Sequence, residues 1–144
     1  MRAVLDTNVL ARAHKNAQGP ARRVLLHVIS GSNVLVLSAD ILGELERVLR
    51  YPRLLTRSGL TSDDIAEYLE NLNAVSCLVR PESVPAEVLR DPTDGPILGT
   101  ALAGEAEVLC TRDADLFDQR VQRFCGTRGI QVLTDLEFIS NFKI

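Results

Sequence analysis

Lysine, histidine, cysteine and long apolar runs are all scarce in this chain, and each scarcity excludes something. Of 16 basic residues only Lys15 and Lys143 are lysines; the rest are arginines, whose planar fork suits phosphate oxygens. His14 and His27 are the only histidines, and neither has a partner at metal-ligand spacing. The 3 cysteines, Cys77, Cys110 and Cys125, are odd in number, far apart and outside any Cys-x-x-Cys pair, which fits reduced thiols and argues against zinc. No apolar run approaches the roughly 18 residues that a membrane helix needs, and the chain reaches Asp6 before a secretory signal could build its apolar core. A cytoplasmic protein with no membrane attachment is expected. With 144 residues and no low-complexity tract, one domain spanning 1–144 around a proper hydrophobic core is expected as well.

What is present is organised around Ala3-Val4-Leu5-Asp6-Thr7-Asn8-Val9-Leu10, an apolar run broken by one acid and two small polar residues. A buried strand ends on a carboxylate only if something at its tip offsets the cost of the charge. No lysine or histidine adjoins Asp6, but further acids follow at similar strand and helix ends. Converging acids repel one another, and a divalent cation is the usual resolution. The net charge of -3 argues at first sight against a nucleic-acid partner, because phosphate binding leaves a basic footprint. If Asp6, Glu44, Asp94, Asp113 and Asp115 share one pocket, however, the remaining surface is net positive.

Arg2 to Leu5 reads as a short buried strand. Gly19-Pro20 opens a helix that carries Ala21, Val24, Leu25, Val28 and Ile29 at helical spacing and closes at Gly31. Val34 to Leu37 is a second strand, with Ser38 placed to cap a helix starting at Ala39 or Asp40. On that helix Ile41, Leu42, Leu45, Val48 and Leu49 form the core face, Glu44 and Glu46 take its opposite margins, and Arg47 points away. Periodicity nominates both glutamates and does not choose between them. Tyr51-Pro52 ends this helix, and Arg47, Arg50, Arg53 and Arg57 make the turn basic. Thr61-Ser62-Asp63-Asp64 has the form of a capping box, opening a helix on Ile65, Leu69 and Leu72. Val75 to Val79 reads as a third strand, and the proline-rich stretch from Pro81 to Pro92 is expected to wind over the surface.

Asp94 is the expected cap of a helix that buries Ile97, Leu98, Ala101 and Leu102. Glu107 to Cys110 is a fourth strand and Ile130 to Leu133 a last one, followed by a second capping box at Thr134-Asp135-Leu136-Glu137. The alternation predicts an α/β fold, a three-layer α/β/α sandwich with a mostly parallel central sheet. In such sheets ligands bind beyond the carboxyl ends of the strands, where Asp6 and Asp113 fall. Singly, each acid has an ordinary role as a turn residue, a cap or a solvated helix margin. Together, with Thr7, Asn8 and Thr111 nearby, they form an oxygen-only donor set suited to Mg²⁺ or Mn²⁺. A dehalogenase-type phosphatase would need a second Asp where Asn8 stands, and a response-regulator receiver would need a late lysine that this chain lacks.

Leu5-Asp6-Thr7-Asn8-Val9-Leu10, Leu37-Ser38 followed by Glu44-Leu45, Asp91-Pro92-Thr93-Asp94, and Leu109-Cys110-Thr111-Arg112-Asp113-Ala114-Asp115-Leu116 together resemble the PIN domain family, in that family's order. They are most similar to its toxin branch, from prokaryotic toxin-antitoxin pairs. The resemblance implies a metal-dependent endoribonuclease that hydrolyses RNA phosphodiester bonds to a 5′-phosphate and a 3′-hydroxyl. Asp6, Glu44, Asp94 and Asp113 would be its catalytic quartet and hold Mg²⁺ or Mn²⁺, with Asp115 also on the metal side. The resemblance favours Glu44 over Glu46. Thr7, Asn8, Ser38 and Thr111 take supporting roles, and Arg112, Arg120 and Arg123 are candidates for contact with the RNA backbone. An antitoxin partner and a homodimer are implied too. At Gly95-Pro96 the sequence departs from the pattern, since similar proteins often carry a polar residue there. The other reading is a PIN-like module that binds RNA or a protein without cutting.

Overall fold

The first strand is covered on both faces. In the computed structural model, which describes residues 1–144, β1 (Arg2–Leu5) lies at the centre of a 5-stranded sheet, flanked by β2 (Val34–Leu37) and β4 (Val108–Cys110), with β3 (Ser76–Leu78) and β5 (Gln131–Leu133) at the edges. Every pairing is parallel. Ala3, Val4 and Leu5 are fully buried, and strands sandwiched in this way read as unbroken apolar runs because neither face meets water.

The chain runs from β1 outward through β2 to β3, then crosses back to β4 and β5 on the other side of β1. Right-handed crossovers therefore put α2 (Pro20–Val28), α3 (Ala39–Leu49), α4 (Pro52–Ser58) and α5 (Ser62–Val75) on one face of the sheet. The same rule puts α6 (Gly95–Ala103) and α7 (Gln119–Gly126) on the other face, while α8 (Asp135–Phe142) returns to pack on α2. This is the three-layer α/β/α arrangement. No helix is long and apolar enough to cross a membrane.

Three helices escape the sequence reading: α1 (Thr7–Leu10), α4 and α7. The first is a single turn, too short for periodicity to register. Pro52 ends α3 and also opens α4, because proline is tolerated at a first helical position; the basic turn is a helix. Val75 belongs to α5, which stops only where Ser76 turns extended. Both expected capping boxes form, at Thr61–Asp64 and Thr134–Glu137. The proline-rich stretch does not simply skim the surface: the Glu82 N–H donates to the Gly99 carbonyl at 3.1 Å, pinning it to α6.

Because β1 and β4 are neighbours whose chains depart in opposite directions, the loops after them splay apart and open a crevice at their carboxyl ends.

Candidate metal centre

Asp6 sits in that crevice. Its N–H continues the parallel ladder by donating to the Cys110 carbonyl at 2.9 Å, so the β1 tip lies against the β4 tip. Asp6 is only 8% exposed, and its carboxylate is well supplied with donors: the Thr7 N–H at 2.7 Å, the Thr111 hydroxyl at 2.8 Å and the Asn8 amide at 3.3 Å. Burial pushes its pKa up; the Thr111 and Thr7 hydrogen bonds oppose the shift, and the charges of Glu44 and Asp113 add to it.

A cavity of about 680 Å³ opens in front of Asp6, with Thr7, Asn8, Glu44 and Asp94 also in its walls. Ser38 caps α3 by accepting from the Ile41 N–H at 3.4 Å and takes the Thr100 hydroxyl at 2.9 Å. Neither bond goes to an acid; Ser38 orients the helix that delivers Glu44. The Thr7 hydroxyl donates to Glu44 at 3.2 Å. Glu46, on the opposite margin of α3, faces out and pairs with Arg50 at 3.4 Å, which resolves the choice that periodicity left open.

Asp94 is not the side-chain cap the sequence predicts. A 3₁₀ turn over Pro92–Asp94 precedes α6, and the carboxylate that caps it is that of Asp91, which accepts from the Thr93 N–H at 3.0 Å. No side-chain cap bond forms at Asp94, so its carboxyl is free to meet that of Asp113 within hydrogen-bonding reach. Burial, the shared hydrogen bond with Asp113 and the charges of Asp113, Asp91 and Asp6 push the Asp94 pKa up to about 7. Asp113 lies outside the cavity lining, fixed by its N–H to the Thr111 hydroxyl at 3.0 Å, and it accepts the Asp115 N–H at 3.0 Å.

The tightest convergence of oxygens belongs to a different trio from the predicted quartet. Asp91, Asp94 and Asp115 can each offer an oxygen within 4.8 Å of the others. Asp91 is the acid that the sequence reading overlooked as a ligand. Its signal was the three-residue spacing to Asp94, which a 3₁₀ turn stacks on one side. Of this trio only Asp94 also lines the cavity, whose wall holds no histidine or cysteine; such all-oxygen donors fit a hard divalent cation such as Mg²⁺ or Mn²⁺.

The sequence profile of the PIN domain family matches residues 2–115. The chain belongs to the PIN domain family. Among solved structures, this PIN domain is similar to "Crystal structure of VapBC2 from Rickettsia felis bound to a DNA fragment from their promoter", with 15% identity and a TM-score of 0.54 over 92% of this chain and 98% of that chain. That likeness is one of fold. No curated protein matches the sequence.

The arginines nominated for substrate contact stand outside the cavity of this PIN domain. Arg112 lies 3.6 Å from the buried carboxylate of Asp135, at the start of α8, and its N–H donates to Asn8 at 2.9 Å. Arg120 pairs with Asp118 of its own turn at 3.2 Å, and Arg123 lies exposed on α7. Arg90, unremarked in the sequence, reaches Asp115 at 3.5 Å. Arg47 lines the cavity.

The raised Asp94 pKa sets a pH dependence. A carboxyl that titrates at about 7 when folded and near 3.8 when unfolded favours the folded state fully below the lower value. It loses that contribution as pH rises through the upper one. In chelator, the thermal midpoint of the wild type should therefore fall between pH 4 and pH 7 more steeply than that of Asp94→Asn. Parallel midpoint curves for the two proteins would contradict the Asp94–Asp113 contact.

Proposed function

We propose that this PIN domain is a divalent-metal-dependent endoribonuclease acting as the toxin of a toxin-antitoxin pair. The reading rests chiefly on one observation: Asp6, at the tip of the central strand, shares a cavity with Glu44 and Asp94, and Asp113 is near enough to help raise the Asp94 pKa. Family membership supports nuclease chemistry, and the VapBC2 neighbour supports an antitoxin partner.

Asp6, Glu44, Asp94 and Asp113 would hold the cation, with Asp91 and Asp115 completing the negative rim. When bound there, Mg²⁺ or Mn²⁺ supplies a water of lowered pKa and neutralises charge on the scissile phosphate. The chain's own part is positioning. Thr111 ties together Asp6 and the Asp113 N–H through one hydroxyl, so the tips of β1 and β4 keep a fixed separation. Thr7 fixes Asp6 through its N–H and Glu44 through its hydroxyl, joining the sheet to α3. Acids braced in this way cannot swing apart to relieve their repulsion. The site carries its charge in advance of the reaction, as electrostatic preorganisation requires.

The deciding experiment is a metal titration with a labelled single-stranded RNA. Cleavage should be absent in chelator, appear on addition of Mn²⁺ or Mg²⁺, and leave 5′-phosphate ends. Binding of the RNA with no cleavage at any metal concentration would identify a binding module instead.

A further inference from the structure

One wall of the cavity is a single face of α3: Asp40, Gly43, Glu44 and Arg47 recur at helical spacing along it. Arg47 stands one turn beyond Glu44 and is the one cationic residue in the lining, which otherwise carries Asp6, Asp40, Glu44 and Asp94. Its guanidinium makes no ion pair, whereas Arg50, Arg90, Arg112 and Arg120 are each engaged with a carboxylate. A helical side chain leans toward the amino end of its helix and covers the preceding turn. For Arg47 that turn holds Gly43, whose Cβ position is open space with nothing within 4 Å. The guanidinium therefore has a clear path back over Gly43 toward Glu44 and the acids.

An RNA strand entering this cavity meets carboxylates on most sides, and those not neutralised by metal repel its phosphates. A guanidinium swung back over Gly43 would offset that repulsion. Its planar donors fit two oxygens of one phosphate. We infer that Arg47 is the substrate-phosphate clamp of this cavity, holding the phosphodiester next to the one that is cut, so that the RNA strand runs along α3 from Glu44 toward Arg47. The inference rests on the nuclease reading and adds the direction of the strand and the residue that receives it.

The test compares Arg47→Gln and Arg47→Lys with Arg128→Gln. Arg128 stacks on Phe124 just ahead of β5, at the amino ends of the strands, so its loss matches the charge change at the far end of the sheet. Binding of a fluorescein-labelled single-stranded RNA in chelator is followed by anisotropy across a salt series, and Mn²⁺-dependent cleavage is followed on the same RNA. Arg47→Gln should weaken binding and raise KM by about 10-fold with kcat nearly unchanged, as expected for a lost charge-assisted contact. It should also reduce the slope of log affinity against log salt by about 0.7, the share of one phosphate on a single strand. Arg47→Lys should recover part of the loss, and Arg128→Gln should match the wild type. Equal effects of Arg47→Gln and Arg128→Gln, or a fall in kcat at constant KM, would overturn the clamp. If the wild type cleaves nothing but Arg47→Gln still weakens binding, the clamp stands and the nuclease reading fails. If the wild type cleaves and Arg47→Gln is unaffected, the reverse holds.

Discussion

Asp6→Asn is expected to lower RNA cleavage by more than the ~10–100-fold that disturbing a ligand's supporting shell costs, with the thermal midpoint in chelator unchanged or higher. The two halves of this result have separate causes. Asn keeps the shape of Asp and retains one carbonyl oxygen for the Thr7 N–H, so the local turn survives. The facing Thr111 hydroxyl, which donates to Asp6 in the wild type, can rotate to accept instead. The substitution also removes a charge that burial disfavours and that Glu44 and Asp113 repel, which relieves the fold in the absence of metal. Activity falls because the amide offers no negative charge to a cation at the point where the two strand tips meet. Cleavage rates at saturating Mn²⁺, with circular dichroism melts of the same preparations, read both halves. Full activity in a folded Asp6→Asn protein would remove Asp6 from the mechanism.

The largest stability loss is expected from a position with no chemistry at all. A Cβ at Gly99 would lie 2.2 Å from the carbonyl oxygen of Glu82 and 3.1 Å from its nitrogen. Both obstacles are backbone, and the Glu82 N–H is hydrogen-bonded to Gly99 itself, so no rotamer change makes room. Gly99→Ala should destabilise the protein at the upper end of the ~1–3 kcal/mol typical of overpacking, even after the gain in helix propensity. It should also depress activity, because the shifted helix α6 carries Asp94 at its amino end. Gly43→Ala makes the contrast. It lies inside α3 with no atom within 4 Å of its Cβ position, and should raise stability by about 0.5–1 kcal/mol through lost chain entropy in the unfolded state. Urea melts of the two variants separate these effects, and similar midpoints would mean that Glu82 can be displaced at little cost.

Gly43 lies in an amphipathic helix and Gly99 in an apolar one, but nothing local shows that only the second has a backbone neighbour where a Cβ would go. That contact brings residue 82 against residue 99 across a connection whose path no periodicity encodes. The same holds around the acids. On sequence grounds Asp94 is the expected cap, but Asp91 takes a capping role because of the 3₁₀ turn that Pro92 begins. Periodicity points Arg47 away from the core and the resemblance nominates Arg112, yet Arg112 lies against Asp135 outside the cavity whereas Arg47 lines it with no ion pair.

What the sequence by itself determined was the set of interactions that close within a turn or along a strand. These are the two capping boxes, the apolar runs of the doubly covered strands, the amphipathic faces of α2, α3 and α5, and an acid at the tip of β1 and another at the tip of β4. Such features depend on neighbours a few residues away, and local stereochemistry fixes them. Only the tertiary structure decided which glutamate of α3 faces the cavity, that Asp94 meets Asp113 rather than capping α6, that Asp91 joins the rim, and that Arg47 stands unpaired beside it. Those outcomes depend on how α3 and α6 cross the ends of the sheet. Their positions follow from packing the whole core, and a side chain finds its partner there only after elements a hundred residues apart have come together.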